Sequence, residues 1–450
     1  STNSSIENRK SQVILNDLAP IQRCMIRNKR QLCNEKTKDA LDILDAGLQA
    51  ALPENLFADL IKENKLRIGT KLYDLSKYRK IHLVAVGKAA DSMAKLIHSK
   101  IKSDGGIIVI PKTYRPLFRN ERFKIHRSGH PIPDRSSVAA AKSLRNLLKN
   151  AEKDDLVIFL ISGGASALVC LPEGITLAQK QQTSALLLKC GASIDEINSV
   201  RKHLSAVKGG KLVQNLACQA VSLVMSDVVG NDLSSIASGL TYFDDSTFSH
   251  CIRIVKKYGL ERKMPPSVLR RLRLGAMGKL DETPKKSLIP NFIVATNKNC
   301  VDAMAKKAAS LGYGTKTLAP ISGDVKNAAK RILKNLSKTK KSCLVFGGEP
   351  TVKVTGNGRG GRNQELVLRI LQNLQKDQSV VVASVGTDGI DGNTKYAGAI
   401  SGFIANKNEI KNYLRENNSS EFFQKHRSLI LTGPTHTNLM DVGLVLQQEI

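Results

Sequence analysis

Leu156-Val157-Ile158-Phe159-Leu160-Ile161 runs directly into Ser162-Gly163-Gly164-Ala165-Ser166. Six consecutive apolar residues, followed at once by glycines and small hydroxyls, predict a strand buried on both faces that turns tightly into a helix. Further short apolar runs, separated by helical patterns, predict strands at residues 81–86, 106–110, 220–225, 291–295, 342–346, 380–385 and 429–431. This alternation predicts an α/β fold with a parallel sheet covered on both faces.

The chain of 450 residues is long enough for two or three domains. A basic stretch at residues 262–286 interrupts the alternation, which restarts after it. We therefore expect two α/β units with a boundary near residues 275–290. Residues 1–36 are polar and basic and lack the apolar centre of a signal peptide, so we do not expect secretion.

The composition excludes several classes of protein. No apolar run approaches the ~18 residues of a membrane-spanning helix. The eight cysteines are scattered without a C-x-x-C pair, so we expect neither a disulfide framework nor a zinc site, and we place the chain in the cytoplasm, with the mitochondrion as the alternative. The net charge is +30, but much of it lies opposite apolar helical stripes, and no nucleic-acid-binding motif accompanies it, so nucleic acid is not the expected partner.

Small, polar or charged residues follow the predicted strands. They are Gly87-Lys88, Ser162-Gly163-Gly164-Ala165-Ser166, Ser226-Asp227, Gly347-Gly348-Glu349 and Thr387-Asp388-Gly389. In open α/β sheets, ligands bind at the carboxyl ends of the strands. These residues are therefore expected to form a phosphate-handling site, although glycines at strand ends are also ordinary turn residues.

Lys88 stands at the start of a predicted helix, where a cation opposes the helix dipole at a cost of ~0.3–1 kcal/mol. A bound anion would offset this cost, and a solvated lysine at an exposed terminus is an equal alternative. In Ser162-Gly163-Gly164-Ala165-Ser166, bare glycines and hydroxyls could cradle phosphate, or could form only a tight turn. The esterase pattern G-x-S-x-G fails at Leu168.

A glycine-rich stretch from Gly356 to Gly361 matches the dinucleotide fingerprint G-x-G-x-x-G. Arg359 and Arg362 stand in and beside it, and the strand that follows lacks the terminal acid of that fingerprint. Arginines with glycines before a helix instead indicate a grip on phosphate or carboxylate.

Asp227 and Asp388 offer carboxylates for Mg²⁺, or are turn residues. Phosphate-gripping loops together with carboxylates favour phosphoryl transfer. The chain has no Walker P-loop and no protein-kinase catalytic loop.

Taken together, these motifs resemble the MOFRL-type glycerate 2-kinases, over residues 37–450. The resemblance rests on Val86-Gly87-Lys88-Ala89-Ala90, Gly129-His130-Pro131-Ile132-Pro133-Asp134, residues 160–168 and 196–205, Gly347-Gly348-Glu349-Pro350-Thr351, residues 360–365 and 387–392, and Thr432-Gly433-Pro434-Thr435. It implies a larger Rossmann-like domain at 37–285, a smaller α/β domain at 286–450, and an active site in the cleft between them. It also implies phosphorylation of D-glycerate to 2-phospho-D-glycerate with ATP and Mg²⁺.

The resemblance also assigns roles to residues. Lys88 and Arg362 match the family's catalytic candidates. Lys88 would neutralise the transferring phosphoryl group, Arg362 would clamp phosphate or the glycerate carboxylate, and Asp227 or Asp388 would hold Mg²⁺ or accept the hydroxyl proton. The remaining expected site residues are Ser162, Gly163, Gly164, Ser166, Gly360 and Gly361 for the nucleotide, and Arg201, Lys208, Asn363 and Glu365 for the substrate.

The chain departs from the family pattern at a few positions. His436 stands where the family usually has glycine, and it would force a backbone change or narrow the site if its φ is positive. Two other functions stay open: an oxidoreductase acting on hydroxypyruvate or tartronate, and a catalytically inactive basic binding protein. A homodimer is also left open.

Overall fold

The computed structural model describes residues 24–57, 59–337, 339–374, 379–403 and 406–448. Its helices α1 to α15, in chain order, are Lys29–Leu32, Lys38–Ala50, Pro53–Leu56, Ala90–Ile101, Arg135–Lys149, Ala165–Leu168, Leu177–Lys189, Ile194–His203, Phe248–Lys257, Pro266–Ala276, Asn297–Ser310, Val325–Lys334, Arg362–Asn373, Lys407–Arg415 and Ser419–Lys425. Its strands β1 to β16 are Ile61–Lys62, Lys65–Ile68, Lys71–Asp74, Ile81–Val86, Gly105–Pro111, Phe123–Ser128, Leu156–Ile161, Gln219–Met225, Asn291–Ala295, Gly314–Thr317, Ile321–Asp324, Ser342–Thr351, Val380–Gly386, Gly398–Ser401, Leu429–Ile430 and Asp441–Gln447.

The first large sheet is parallel throughout, in the order β6-β5-β4-β7-β8-β9. In β7, Leu156, Ile158 and Leu160 face one apolar core, and the alternate residues face another. Burial on both faces explains why the strand is an unbroken apolar run rather than an alternating one. The predicted parallel α/β fold is confirmed.

The second large sheet is mixed. Its strands follow the order β10-β12-β16-β13-β14-β15, with β11 also paired to β12. β10 and β11 run parallel to β12, whereas β16 lies antiparallel between β12 and β13. Helices α12 to α15 cover one face of this sheet. The antiparallel centre brings the end of β13 and the start of β16 to the same edge.

One apolar core joins the two large sheets. It contains residues of β4 and β7, residues of β13 and β16, and the helices α2, α4 and α11. Gly47 of α2 lies so close to Met304 of α11 that a Cβ on Gly47 would fall 2.5 Å from the Met304 Cγ. The two helices therefore pack tightly within the shared core.

Two details bear on the predicted organisation. The strand β9 lies beyond the predicted boundary at 285/286 and joins the first sheet, and α2 packs against the second. Of the predicted segment 1–36, residues 1–23 lie outside the described residues. The domain limits therefore stay predictions.

A three-stranded antiparallel sheet of β1, β2 and β3, and a cluster of α7 to α10, complete the fold. The basic stretch 262–286 contains the helix α10, whose Val268 and Leu272 are buried. Among the described residues, no helix is both long and apolar enough to cross a membrane.

Candidate active site

Hydrogen bonds join the loops that follow β4 and β7 and fix the backbone of Lys88. The Lys88 N–H donates to the Gly163 carbonyl at 2.9 Å, and the Ala89 N–H donates to the Ser162 hydroxyl at 3.0 Å. Gly87 has φ +133°, and a Cβ there would fall 2.1 Å from the Ser162 Oγ. Only glycine fits this approach.

The side chain of Lys88 forms an ion pair with a carboxylate in a loop of the second sheet. Its Nζ lies 2.6 Å from Oδ2 of Asp388, which follows β13. Both side chains are largely buried, with 17% and 8% exposure. The anion expected beside Lys88 is thus a carboxylate of this chain, and a substrate phosphate would have to compete with it.

Arg362, the first residue of α13, is held by two carboxylates. Its Nε and Nη2 donate to Asp441 at 2.5 and 2.9 Å, and its Nη1 lies 3.0 Å from Glu349. Burial opposes the charge of Arg362, but these neighbours outweigh burial and raise its pKa. The guanidinium is fully charged and fixed in orientation.

The two ion pairs are neighbours. A Cβ on Gly386 would lie 3.1 Å from Oδ1 of Asp388 and 3.4 Å from Oδ1 of Asp441. Asp388 forms an ion pair with Lys88, and Asp441 forms one with Arg362. The structure therefore brings together the two cations that the sequence singled out.

Asp227 lies at the end of β8, against the glycine turn. A Cβ on Gly163 would fall 2.3 Å from the Asp227 Oδ2, and the Asn438 amide donates to that oxygen at 3.4 Å. Within the described residues, no cation forms an ion pair with Asp227. Burial raises the pKa of this carboxyl.

Glu349 is a site residue that the sequence placed only at a strand end. Its pKa is raised to about 7, mainly by burial and also by Asp441 and Asp227, whereas Arg362 and Lys88 oppose the shift. A carboxyl that titrates near neutral pH can accept a proton there. No sequence motif identified Asp441, because its position beside Arg362 depends on how β16 pairs within the sheet.

The residues expected to bind a nucleotide lie in two places. In the first sheet, Gly164 has φ +86° and the Ser166 hydroxyl lies 3.0 Å from that of Ser238. In the second, Gly360 and Gly361 precede α13, and the Gly360 N–H donates to Asn393 at 3.0 Å. Within the first group, Gly163 lies against Asp227 and Gly164 lies near the Lys88 side chain, and the second group leads into Arg362.

The four residues expected to bind substrate form hydrogen bonds or ion pairs with other groups of the protein. Burial lowers the pKa of Lys208 to about 7, and its Nζ donates to the carbonyls of Ala165 and Ala237. Arg201 donates to Ser184 at 3.1 Å. These contacts join loops and helices of the first sheet's side of the molecule.

Asn363 and Glu365 are buried in α13. Asn363 bonds Asp391 and accepts a hydrogen bond from Ser384, and Glu365 pairs with Arg369 at 2.7 Å. Among the described residues, no hydrogen bond or ion pair joins Arg201, Lys208, Asn363 or Glu365 to Lys88, and substrate binding by these four residues stays a prediction.

The donor set at Asp227 fits Mg²⁺. The described residues hold no group of three or more histidine, cysteine or acidic side chains arranged around a metal position. Mg²⁺ bound with a nucleotide, however, needs only one or two carboxylates besides phosphate oxygens and water. Asp227 supplies a carboxylate that forms no ion pair among the described residues, although the charge of nearby Lys88 stabilises it, and Asp388, which is paired with Lys88, supplies a second carboxylate.

Comparison with known proteins gives consistent similarities. Residues 39–273 match a domain of unknown function, DUF4147, and residues 342–441 match the MOFRL family. The Glycerate 2-kinase of Pyrococcus horikoshii is 36% identical, covering 90% of this chain and 98% of that protein. The D-glycerate 2-kinase of Thermotoga maritima is 34% identical, covering 91% and 98%.

Solved structures agree. The crystal structure of the Thermotoga maritima glycerate kinase superposes with a TM-score of 0.76 at 32% identity, covering 91% of this chain and 99% of that one. A Pyrococcus horikoshii crystal structure gives 0.75 at 34% identity, covering 93% and 100%.

Proposed function

Because this chain belongs to the MOFRL-type glycerate kinase family, we propose that it transfers the γ-phosphoryl group of ATP to the C2 hydroxyl of D-glycerate. The product is 2-phospho-D-glycerate. The chain is a kinase by this membership, and the position of phosphorylation, Mg²⁺ and the roles of individual residues are our proposals. The cytoplasmic location and a homodimer stay predictions.

The observation that carries the proposal is the adjacency of the Lys88–Asp388 and Arg362–Asp441 pairs, whose carboxylates both lie next to Gly386. Phosphoryl transfer needs cations fixed where negative charge collects. Lys88 comes from one large sheet and Arg362 from the other. A ligand between them would contact both parts of the molecule.

Lys88 serves the transferring phosphoryl group. Its ammonium exchanges the Asp388 carboxylate for phosphate oxygens when substrates bind, and it neutralises charge on those oxygens. The exchange keeps an anion beside Lys88 at every stage, so its partly buried charge is never left unpaired.

Arg362 serves the carboxylate of glycerate. Its guanidinium is oriented by Asp441, and its side chain keeps 32% exposure, enough to meet a ligand. Arginine binds carboxylates through two parallel hydrogen bonds. Such a clamp fixes the C2 hydroxyl in line with the phosphate.

Two carboxyls can take the proton of the C2 hydroxyl. Asp227 lies on the glycine turn, and Glu349 lies beside Arg362. Burial raises the pKa of both, which makes each a better proton acceptor than an exposed carboxylate. We assign the base to Glu349, since Asp227 is the better Mg²⁺ ligand.

The phosphates of ATP would lie along Ser162, Gly163, Gly164 and Ser166, with Gly360 and Gly361 on the opposite side. Mg²⁺, held by Asp227 and Asp388, would neutralise the phosphate oxygens when bound. The residues fit this ion because carboxylate oxygens are hard ligands.

The test is ADP release with D-glycerate, ATP and Mg²⁺, alongside two competing assays. We expect turnover that requires both D-glycerate and ATP. Oxidation of NADH with hydroxypyruvate, or salt-dependent RNA binding without any turnover, would contradict the proposal and favour the oxidoreductase or the binding protein.

A further inference from the structure

His130 lies on the glycine turn beside Lys88. Measured from the Cβ position of an alanine at Gly164, the His130 Cδ2 and Nε2 lie at 3.1 and 3.2 Å, and the Lys88 Cγ lies at 3.5 Å. The imidazole and the lysine stem therefore flank the same glycine. His130 is only partly buried, so its ring can reach a ligand there.

The imidazole of His130 is neutral at physiological pH and has no partner. Its pKa is lowered to about 4, mainly by burial and also by the charge of Lys88, whereas Asp388 opposes the shift. Among the described residues, no hydrogen bond or ion pair engages either ring nitrogen. By contrast, His203 and His436, also near carboxylates, bond Glu282 and Asp91.

A second polar group near Asp388 is also unpartnered. The Tyr114 side chain is 1% exposed, and its hydroxyl has no hydrogen-bond partner among the described residues. Burial raises its pKa, and Asp388 and Asp91 add to that shift. Buried polar groups are normally paired, so a group left open beside a site points to a ligand or water.

In the proposed reaction, a binding site for glycerate must recognise both charged groups and a neutral hydroxyl. Its carboxylate and the phosphoryl group match the cations Arg362 and Lys88. What remains is a hydroxyl, which both donates and accepts hydrogen bonds. A neutral imidazole has the same pair of functions, one N–H and one lone pair.

We infer that His130 binds the C3 hydroxyl of D-glycerate and sets the preference for this substrate. The inference rests on the proposed function, in which the C2 hydroxyl reacts and the C3 hydroxyl does not. D-lactate is the matched probe, because it keeps the carboxylate and the C2 hydroxyl and lacks only the C3 hydroxyl.

The experiment compares kcat/KM for D-glycerate and D-lactate in four proteins: wild type, His130→Phe, His130→Gln and the control His126→Phe. A site that bonds a hydroxyl discriminates strongly against its absence. We expect His130→Phe to lose about 100-fold or more on D-glycerate and less than about 3-fold on D-lactate. His130→Gln, which keeps a donor and an acceptor, should recover part of the loss.

The controls separate the outcomes. His126→Phe should leave both substrates unaffected, and thermal melting should show that all variants fold. Where D-lactate turnover is too slow, its inhibition constant against D-glycerate gives the same comparison. Equal losses on both substrates, or no loss, would overturn the inference, as would loss of discrimination in Tyr114→Phe instead. A wild type inactive on both substrates would contradict the proposed function itself.

Discussion

At the residue scale, the proposed site consists of lysine and arginine side chains paired with carboxylates. Substrates that bind there would have to replace some of these ion pairs. Lys88 is paired with Asp388, and Arg362 with Asp441. Asp227 and Glu349 add two carboxyls near these pairs. In the proposed reaction, binding of a triphosphate and a carboxylate here requires the cations to change partners, and the protonation state of each carboxyl would therefore affect activity.

Glu349 gives the sharpest prediction from protonation. Its folded-state pKa of about 7 lies above its ordinary value, so it is protonated below pH 7 and accepts a proton only above it. We expect kcat/KM to fall about tenfold per pH unit below pH 7. Glu349→Gln should lower the plateau and abolish this dependence, measured by initial rates from pH 5.5 to 9.

The matched control for this measurement is Glu261→Gln, since Glu261 is exposed. It should keep the wild-type profile. If the fall near pH 7 survives in Glu349→Gln, another group, of which Asp227 is the first candidate, accepts the proton.

The sequence named Lys88, Arg362, Asp227 and Asp388, and the structure brings them together. It could not name Asp441 as the partner of Arg362. The two are 79 positions apart, and only the pairing of β16 between β12 and β13 sets Asp441 opposite Gly348 and Gly386. Such register depends on long-range sheet pairing rather than on local pattern.

At the element scale, the first turn of α13 is capped by a residue from a loop that is distant in sequence. Gly361 occupies the N-cap and has no side chain to cap with. The Asp391 carboxylate instead accepts the N–H groups of Asn363 and Gln364 at 3.0 and 2.9 Å. This contact fixes the first turn, and with it Arg362.

Asp391→Ala removes this cap. We expect a loss of about 2 kcal/mol in the free energy of unfolding, because two helix N–H groups lose their acceptor in a buried place. Chemical denaturation measures it, with the exposed Asp281→Ala as a control that should change little. A change in Asp391→Ala no larger than in Asp281→Ala would contradict the capping role.

Apolar runs predicted several of the buried strands but missed the buried strands β14 and β16. β4 and β7 have the predicted bounds. The helix predicted after the glycine-rich stretch begins at Arg362, and the carboxylate that caps it is remote in sequence. The short hairpin strands β1 to β3 were not predicted, because they are partly exposed and lack an apolar run.

At the scale of the whole molecule, His436 ties the loop before β16 to the first sheet's side. Its φ is +56°. Its Nδ1 lies 3.0 Å from Oδ1 of Asp91, and its carbonyl accepts from Ser92 at 2.6 Å. His436 therefore adopts a left-handed backbone conformation, which favours glycine, and contacts Asp91 and Ser92 of α4.

Two substitutions separate strain from contact. His436→Gly removes the imidazole and relieves the left-handed backbone, whereas His436→Ala removes the imidazole and keeps the strain. We expect stability in the order wild type, Gly, Ala, with Ala about 1 kcal/mol below Gly. Thermal unfolding measures the order, and an alanine variant as stable as wild type would show that the His436–Asp91 contact contributes nothing to stability.

The most direct test of the account is ³¹P NMR of the reaction of D-glycerate with ATP and Mg²⁺, run with wild type, Lys88→Ala and the exposed control Lys257→Ala. We predict 2-phospho-D-glycerate from wild type and Lys257→Ala, and a rate lower by about 10³-fold in Lys88→Ala. A 3-phosphorylated product would contradict the proposed position of transfer. Full activity in Lys88→Ala would contradict the central claim that Lys88 and Arg362 together form the phosphoryl-transfer site.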